Sequence, residues 1–111
     1  MNKLDKDFLS KLTSIIEDNL QNEKLDITFL KERIHMSNST LYRKLKGLTG
    51  LSPNEFVRKF RLRKAVNLLL SGEHNVSETA FLTGFSDSNY FRFCFKEEYG
   101  LTPSEYIKKY R

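Results

Sequence analysis

Residues 50–61, Gly-Leu-Ser-Pro-Asn-Glu-Phe-Val-Arg-Lys-Phe-Arg, are answered fifty positions later by Gly-Leu-Thr-Pro-Ser-Glu-Tyr-Ile-Lys-Lys-Tyr-Arg at residues 100–111. Every position is identical or chemically similar, and the same offset aligns Leu41 with Phe91 and Leu45 with Phe95. A repeat on this scale constrains the fold before any local signal does. With only two copies in 111 residues, the chain is too short for a solenoid. It is instead one helical unit used twice, suited to reading something that itself repeats.

The apolar periodicity is helical throughout, three and four residues apart, with no strict alternation, so the expected class is all-α. Leu4, Phe8, Leu12, Ile15, Ile16 and Leu20 share one face of a first helix, and Ile27, Leu30 and Ile34 follow an Asp26 cap. Ser37 caps a third helix with a Leu41, Leu45 and Leu48 stripe, closed by Gly50. Ser52-Pro53-Asn54-Glu55 is a capping box with proline at the first helical position. It opens a long helix whose apolar pattern runs through Phe56, Phe60, Val66, Leu69 and Leu70 to Ser71-Gly72. A short helix is expected from about Ser77 to Gly84, then one from Asp87 burying Phe91, Cys94 and Phe95 as far as Gly100. Thr102-Pro103-Ser104-Glu105 opens a last helix with Tyr106, Ile107 and Tyr110. The expectation is seven helices in one domain: a first helix-turn-helix unit at about 5–51, a linker helix at about 53–71 and a second unit at about 75–111.

Charge is unevenly placed. The chain carries a formal +5, yet between Arg43 and Lys64 eight basic residues face one acid, Glu55, so the remainder is slightly acidic. A confined basic zone fits a phosphate-binding face, and it also fits an ordinary solvated helix surface. The single cysteine, Cys94, cannot form an internal disulfide, which suits a reducing compartment and a role as apolar filler. No run approaches the ~18 apolar residues of a membrane span, and the N-terminus lacks a signal-peptide pattern, so a cytoplasmic protein without membrane contact is expected.

In each unit a short helix and tight turn precede a longer helix, the order in which the second helix enters a DNA major groove. At 100° per residue, the face opposite Leu41, Leu45 and Leu48 carries Ser39, Tyr42, Arg43 and Lys46. Arg43 suits guanine O6 and N7, Ser39 either kind of base edge, and Tyr42 a thymine methyl or a phosphate. The equivalent face of the second unit carries Asn89, Arg92, Phe93 and Lys96, with Ser88 at the helix start. Asn89 suits adenine; Arg92 suits guanine or phosphate. Phe93, a large ring on a polar stripe, meets a thymine methyl or another protein surface, or else tucks into the protein. Phosphate contacts are expected from Ser37, Lys44, Arg58, Arg61, Arg63 and Lys96, with helix N-termini near Ser37 and Asp87 adding backbone donors.

Catalysis has little to work with. His35 and His74 are isolated, no cluster has metal-ligand spacing, and the glycines read as helix stops. Glu97-Glu98 reads as solvated surface. Neither cofactor nor metal is expected.

Gly84-Phe85-Ser86-Asp87-Ser88-Asn89-Tyr90-Phe91, continued by Phe95-Lys96 and Gly100-Leu101-Thr102-Pro103-Ser104-Glu105-Tyr106, resembles the signature of the AraC/XylS-type DNA-binding domain. Met36-Ser37, Leu41-Tyr42-Arg43-Lys44-Leu45-Lys46 and Gly50-Leu51-Ser52-Pro53 are similar to that family's first unit. The phrase from Leu41 to Lys46 looks especially like the C-terminal output domain of hybrid two-component regulators from Bacteroides-type bacteria. The resemblance implies two reading helices in successive major grooves, about 34 Å apart. It places base-reading positions at Ser39, Tyr42 and Arg43, and at Ser88, Asn89, Arg92 and Phe93. The sequence departs from the family pattern at Lys31, where a small residue is usual, at His35, often glycine, and at Phe93, usually polar or basic.

These readings converge on a double-stranded DNA-binding domain for transcription regulation. It is expected to be monomeric in isolation and part of a longer regulator that is itself a candidate dimer, with RNA polymerase as a second candidate partner. Its first unit should dominate specificity through Arg43 and the basic zone. A stand-alone two-unit regulator and a helical protein-interaction module with a basic face are the alternatives.

Overall fold

Helices begin where a side-chain oxygen takes over a backbone N–H that the first turn leaves unpaired. Asn2, Asp26, Ser37, Asn75, Asp87 and Thr102 all do this. Ser52 does so for the long helix, its Oγ accepting from Glu55 N at 3.3 Å while Glu55 accepts from Ser52 N at 3.1 Å. The computed structural model describes all 111 residues. Seven α-helices result: α1 (Lys3–Asp18), α2 (Ile27–Ile34), α3 (Asn38–Thr49), α4 (Pro53–Ser71), α5 (Val76–Leu82), α6 (Ser88–Tyr99) and α7 (Pro103–Tyr110). No helix is long and apolar enough to cross a membrane.

The chain divides into two compact units, Met1–Arg58 and Lys59–Arg111. In the first, Phe8, Leu12 and Ile16 of α1 are buried along with Leu25, Leu30 and Ile34, Leu41 and Leu45 of α3, and Val57. The four-residue spacings put each helix's contribution on one face, and each such aliphatic side chain contributes roughly 1.5–3 kcal/mol of transfer free energy. α2 packs on α1 and α3.

The second unit centres on Leu62, Ala65, Leu69, Ala80, Phe85, Phe91, Cys94 and Phe95. Its rings form a chain: Phe85–Phe91 at 5.1 Å, Phe91–Phe95 at 5.8 Å, and Phe95 against Tyr106 of α7 edge-on at 5.4 Å. Edge-to-face contacts at such distances add to area burial because ring edges and faces carry opposite partial charge. Cys94 is free and buried, as a filler should be. Thr79 and Thr83 are fully buried polar residues of α5 and its cap, and their hydroxyls bond carbonyls a turn back, at 2.8 Å to Asn75 O and 2.7 Å to Thr79 O. Arg111 Nη1 donates to Leu69 O at 3.1 Å, satisfying a carbonyl in the last turn of α4.

Three expectations need correction. Leu4 is 76% exposed, not core, because it lies in the first turn of α1. On α4 the buried residues are Pro53, Val57, Leu62, Ala65 and Leu69, while Phe56, Phe60, Val66 and Leu70 are only half-buried. Helix α5 begins at Val76, within one residue of the expected start. Its cap is Asn75, which forms a reciprocal box with Glu78, at 2.7 and 2.9 Å. Tyr110 also stays 55% exposed, leaning on the Tyr106 ring at 4.6 Å.

The two turns before the longer helices differ by one residue. His35 closes α2 in the left-handed region (φ 59°), with Met36 N bonded to Lys31 O. Gly84 (φ 88°) and the bond from Phe85 N to Ala80 O play those parts after α5, an offset of forty-nine residues. The fifty-residue offset begins at the caps Ser37 and Asp87, so Ser86 is the added residue.

Candidate nucleic-acid interface

α3 buries Leu41 and Leu45 and turns Ser39, Tyr42, Arg43 and Lys46 to solvent, all four classed as exposed. The expected polar stripe is therefore present and continuous on this helix. Ser37, also exposed, is occupied as a cap: its Oγ accepts from Thr40 N at 3.2 Å and donates to Thr40 Oγ1 at 2.9 Å. The α3 N-terminus thus carries no acid in its cap or first turn, leaving its positive dipole end uncompensated.

α6 buries Phe91, Cys94 and Phe95 and exposes Asn89, Phe93 and Lys96. Ser88 and Arg92 are half-buried and joined, Arg92 Nη1 donating to Ser88 Oγ at 3.1 Å. Phe93 does not tuck inward; it is 62% exposed. Arg92, Phe93 and Lys96 line an open cleft with Glu97, Gly100 and Thr102. The α6 N-terminus differs from that of α3, since the Asp87 carboxylate accepts from Asn89 N at 2.8 Å. That negative charge occupies the place where a phosphate would otherwise be drawn.

The remaining basic candidates separate by exposure. Arg58, Arg63 and Lys96 are exposed. Lys44 is half-buried with its ammonium 4.7 Å from the centroid of the Phe8 ring, a cation–π placement that holds its stem against the core of the first unit. Arg61 is half-buried, and desolvation pushes its pKa down, though a guanidinium starts high enough to stay charged. Lys59 pairs with Glu98 at 3.3 Å, so this exposed acid is ion-paired on the surface. Glu97 was missed as a cleft residue. Its signal was its place one turn after Phe93, on the same side of α6.

A family model described as a helix-turn-helix domain matches residues 30–109. Over 97 residues, 87% of its length, the chain is 36% identical to the HTH-type transcriptional activator RhaS of Salmonella arizonae. The chain belongs to the AraC-type helix-turn-helix family. As an AraC-type domain it is a DNA-binding module of transcription regulation and not an enzyme. A second relative, histidine kinase P4 of Formosa agariphila, is 34% identical over 110 residues, 99% of this chain. The AraC-type domain spans 34% of the length of RhaS and 8% of that of the kinase. Among solved structures it is similar to the C-terminal domain of the two-component response regulator YesN from Fusobacterium nucleatum. That match has a TM-score of 0.82 and 30% identity, and covers 91% of this chain and 98% of the other. It is also similar to the DNA-binding domain of AdpA, solved with a target DNA, with a TM-score of 0.83, 29% identity and coverage of 93% and 92%.

Proposed function

We propose that α3 and α6 are the reading helices and that each enters a major groove with its exposed stripe against base edges. Ser39, Tyr42, Arg43 and Lys46 read the segment under the first unit; Ser88, Asn89, Arg92 and Phe93 read the segment under the second. Arg43 takes guanine O6 and N7, and Asn89 takes adenine N6 and N7. Ser37, Lys44, Arg58, Arg61, Arg63 and Lys96 face the phosphates, with exposed Arg58, Arg63 and Lys96 reaching furthest and the α3 N-terminus favoured over that of α6. Successive grooves on one face of B-DNA lie about 34 Å apart, so the site is asymmetric and two grooves long.

The observation that carries this reading is that two twelve-residue helices, each bounded by a side-chain N-cap and a left-handed glycine, expose a stripe opposite the apolar one, polar throughout on α3 and polar around Phe93 on α6. The DNA bound to the similar AdpA domain supports the partner. The likeness to the YesN C-terminal domain supports service as the output module of a larger sensor-regulator, of hybrid two-component type. That regulator works in the cytoplasm, on the nucleoid when bound, without membrane contact by this domain. RNA polymerase is the candidate second partner, and the parent regulator is a candidate dimer built from a domain that is monomeric in isolation. Selection from random DNA duplexes tests the core of the proposal. Two enriched blocks about one helical turn apart are expected, and a pool that enriches nothing overturns it.

A further inference from the structure

The Phe93 ring is 62% exposed at the centre of the α6 stripe, although the same helix buries Phe91 and Phe95 completely. An aromatic side chain left in water forgoes a large area of burial, so a surface that covered Phe93 would gain from the contact. Two cations, Arg92 and Lys96, line the same cleft against one acid, Glu97, leaving it net positive, and the fifty-residue offset sets Phe93 on the position of Arg43, exposed on α3. Charge complementarity therefore selects a polyanion as the cover rather than an apolar protein face.

What the ring can recognise there follows from base chemistry. Phe93 has neither donor nor acceptor, so the N7, O6, N6 and O4 groups of the major groove are invisible to it. The one apolar feature on that edge is the methyl group at C5 of thymine. We infer that Phe93 reads a C5-methyl group on one pyrimidine, so that the second unit responds to the methyl itself rather than to a hydrogen-bond pattern. The inference rests on α6 being a reading helix. It carries a consequence beyond thymine, because 5-methylcytosine presents the same methyl at the same place. A cytosine at this step is then recognised better once methylated.

The test uses the whole chain and the tightest duplex recovered from the random pool. Each thymine, on both strands, is replaced singly by deoxyuridine, and each cytosine by 5-methylcytosine; the members of each pair differ only by the methyl. One position should show about four-fold tighter binding of the methylated member, the equivalent of ~0.8 kcal/mol for one buried methyl-sized group. In Phe93→Ala that difference should vanish while the base preference given by Arg43 survives, which also shows that the variant is folded. Equal binding of both members at every position overturns the inference, as does a methyl effect that persists in Phe93→Ala. A pool that enriches no duplex removes the underlying DNA reading instead, so the two failures are distinct.

Discussion

The Arg92 guanidinium reaches back one helical turn to Ser88, Nη1 to Oγ 3.1 Å. The bond fixes a long side chain that would otherwise lose rotamer freedom on meeting DNA. Ser88→Ala should weaken binding by about 0.5–1.5 kcal/mol, the usual net value of such a bond, and Arg92→Ala by more. In the double variant the two losses should not add, with a coupling of at least ~0.5 kcal/mol. Titration of all four proteins on one duplex checks this, and simple additivity would show that Ser88 does not orient Arg92.

Arg43 and Arg58 should differ in kind. Arg43→Ala should cost about 1–3 kcal/mol on the preferred duplex and relax preference at one base position. Arg58→Ala should weaken all sequences alike and lower the slope of log affinity against log salt by about 1. Binding to a panel of point-changed duplexes at several salt concentrations separates the two patterns.

His35 sits in the left-handed region at φ 59° and ψ 48°. A residue with a Cβ pays roughly 1–2 kcal/mol for that conformation, whereas glycine gives up about 0.5–1 kcal/mol through a freer unfolded chain. His35→Gly should therefore raise stability, by up to ~1 kcal/mol, as read from thermal or urea unfolding. A loss of stability would show that the imidazole makes a compensating interaction.

Glu55 and Glu105 should shape the acid limb of stability. The bonds of Glu55 with the Ser52 side chain and backbone, and of Glu105 with the Thr102 backbone and side chain, hold both carboxyls below their ordinary value of 4.5. A carboxyl depressed in the folded state adds stability that is complete above that ordinary value and is lost as pH falls through the folded one. The double variant Glu55→Gln, Glu105→Gln should accordingly show a shallower decline in unfolding temperature below pH 4.5 than the parent. An unchanged decline would place the acid sensitivity elsewhere.

Much of this fold is legible in the sequence because its helix ends are chemical statements. Asp26, Ser37, Asp87 and Thr102 are each followed within four residues by the start of an apolar stripe, and all four are caps. α4 was harder. Leu62, Ala65 and Leu69 fall within a narrow arc, but Val57 lies about 110° away at 100° per residue, so no single stripe exists for periodicity to find. Large aromatic residues at Phe56 and Phe60 then looked like core, while small Ala65, which is fully buried, gave no signal. The exposed stripes of α3 and α6 were readable as the complements of the buried ones. Whether Phe93 faces in or out was not, since its spacing sets it opposite Phe91 and Phe95 while its large apolar ring argues for burial. The Lys59–Glu98 and Arg111–Leu69 contacts join residues 39 and 42 positions apart, and no local pattern announces them.

The extra Ser86 in the second turn decides how this protein can be rebuilt. From Ser37 to Gly50 and from Asp87 to Gly100 the two segments match in length and in the left-handed glycine that closes each, so either is a cassette of the right length to replace the other. A transplant that carries its turn along arrives one residue short or one long, and rotates the grafted helix by a whole position. Chimeras with recoded specificity should be cut at the caps and nowhere upstream of them.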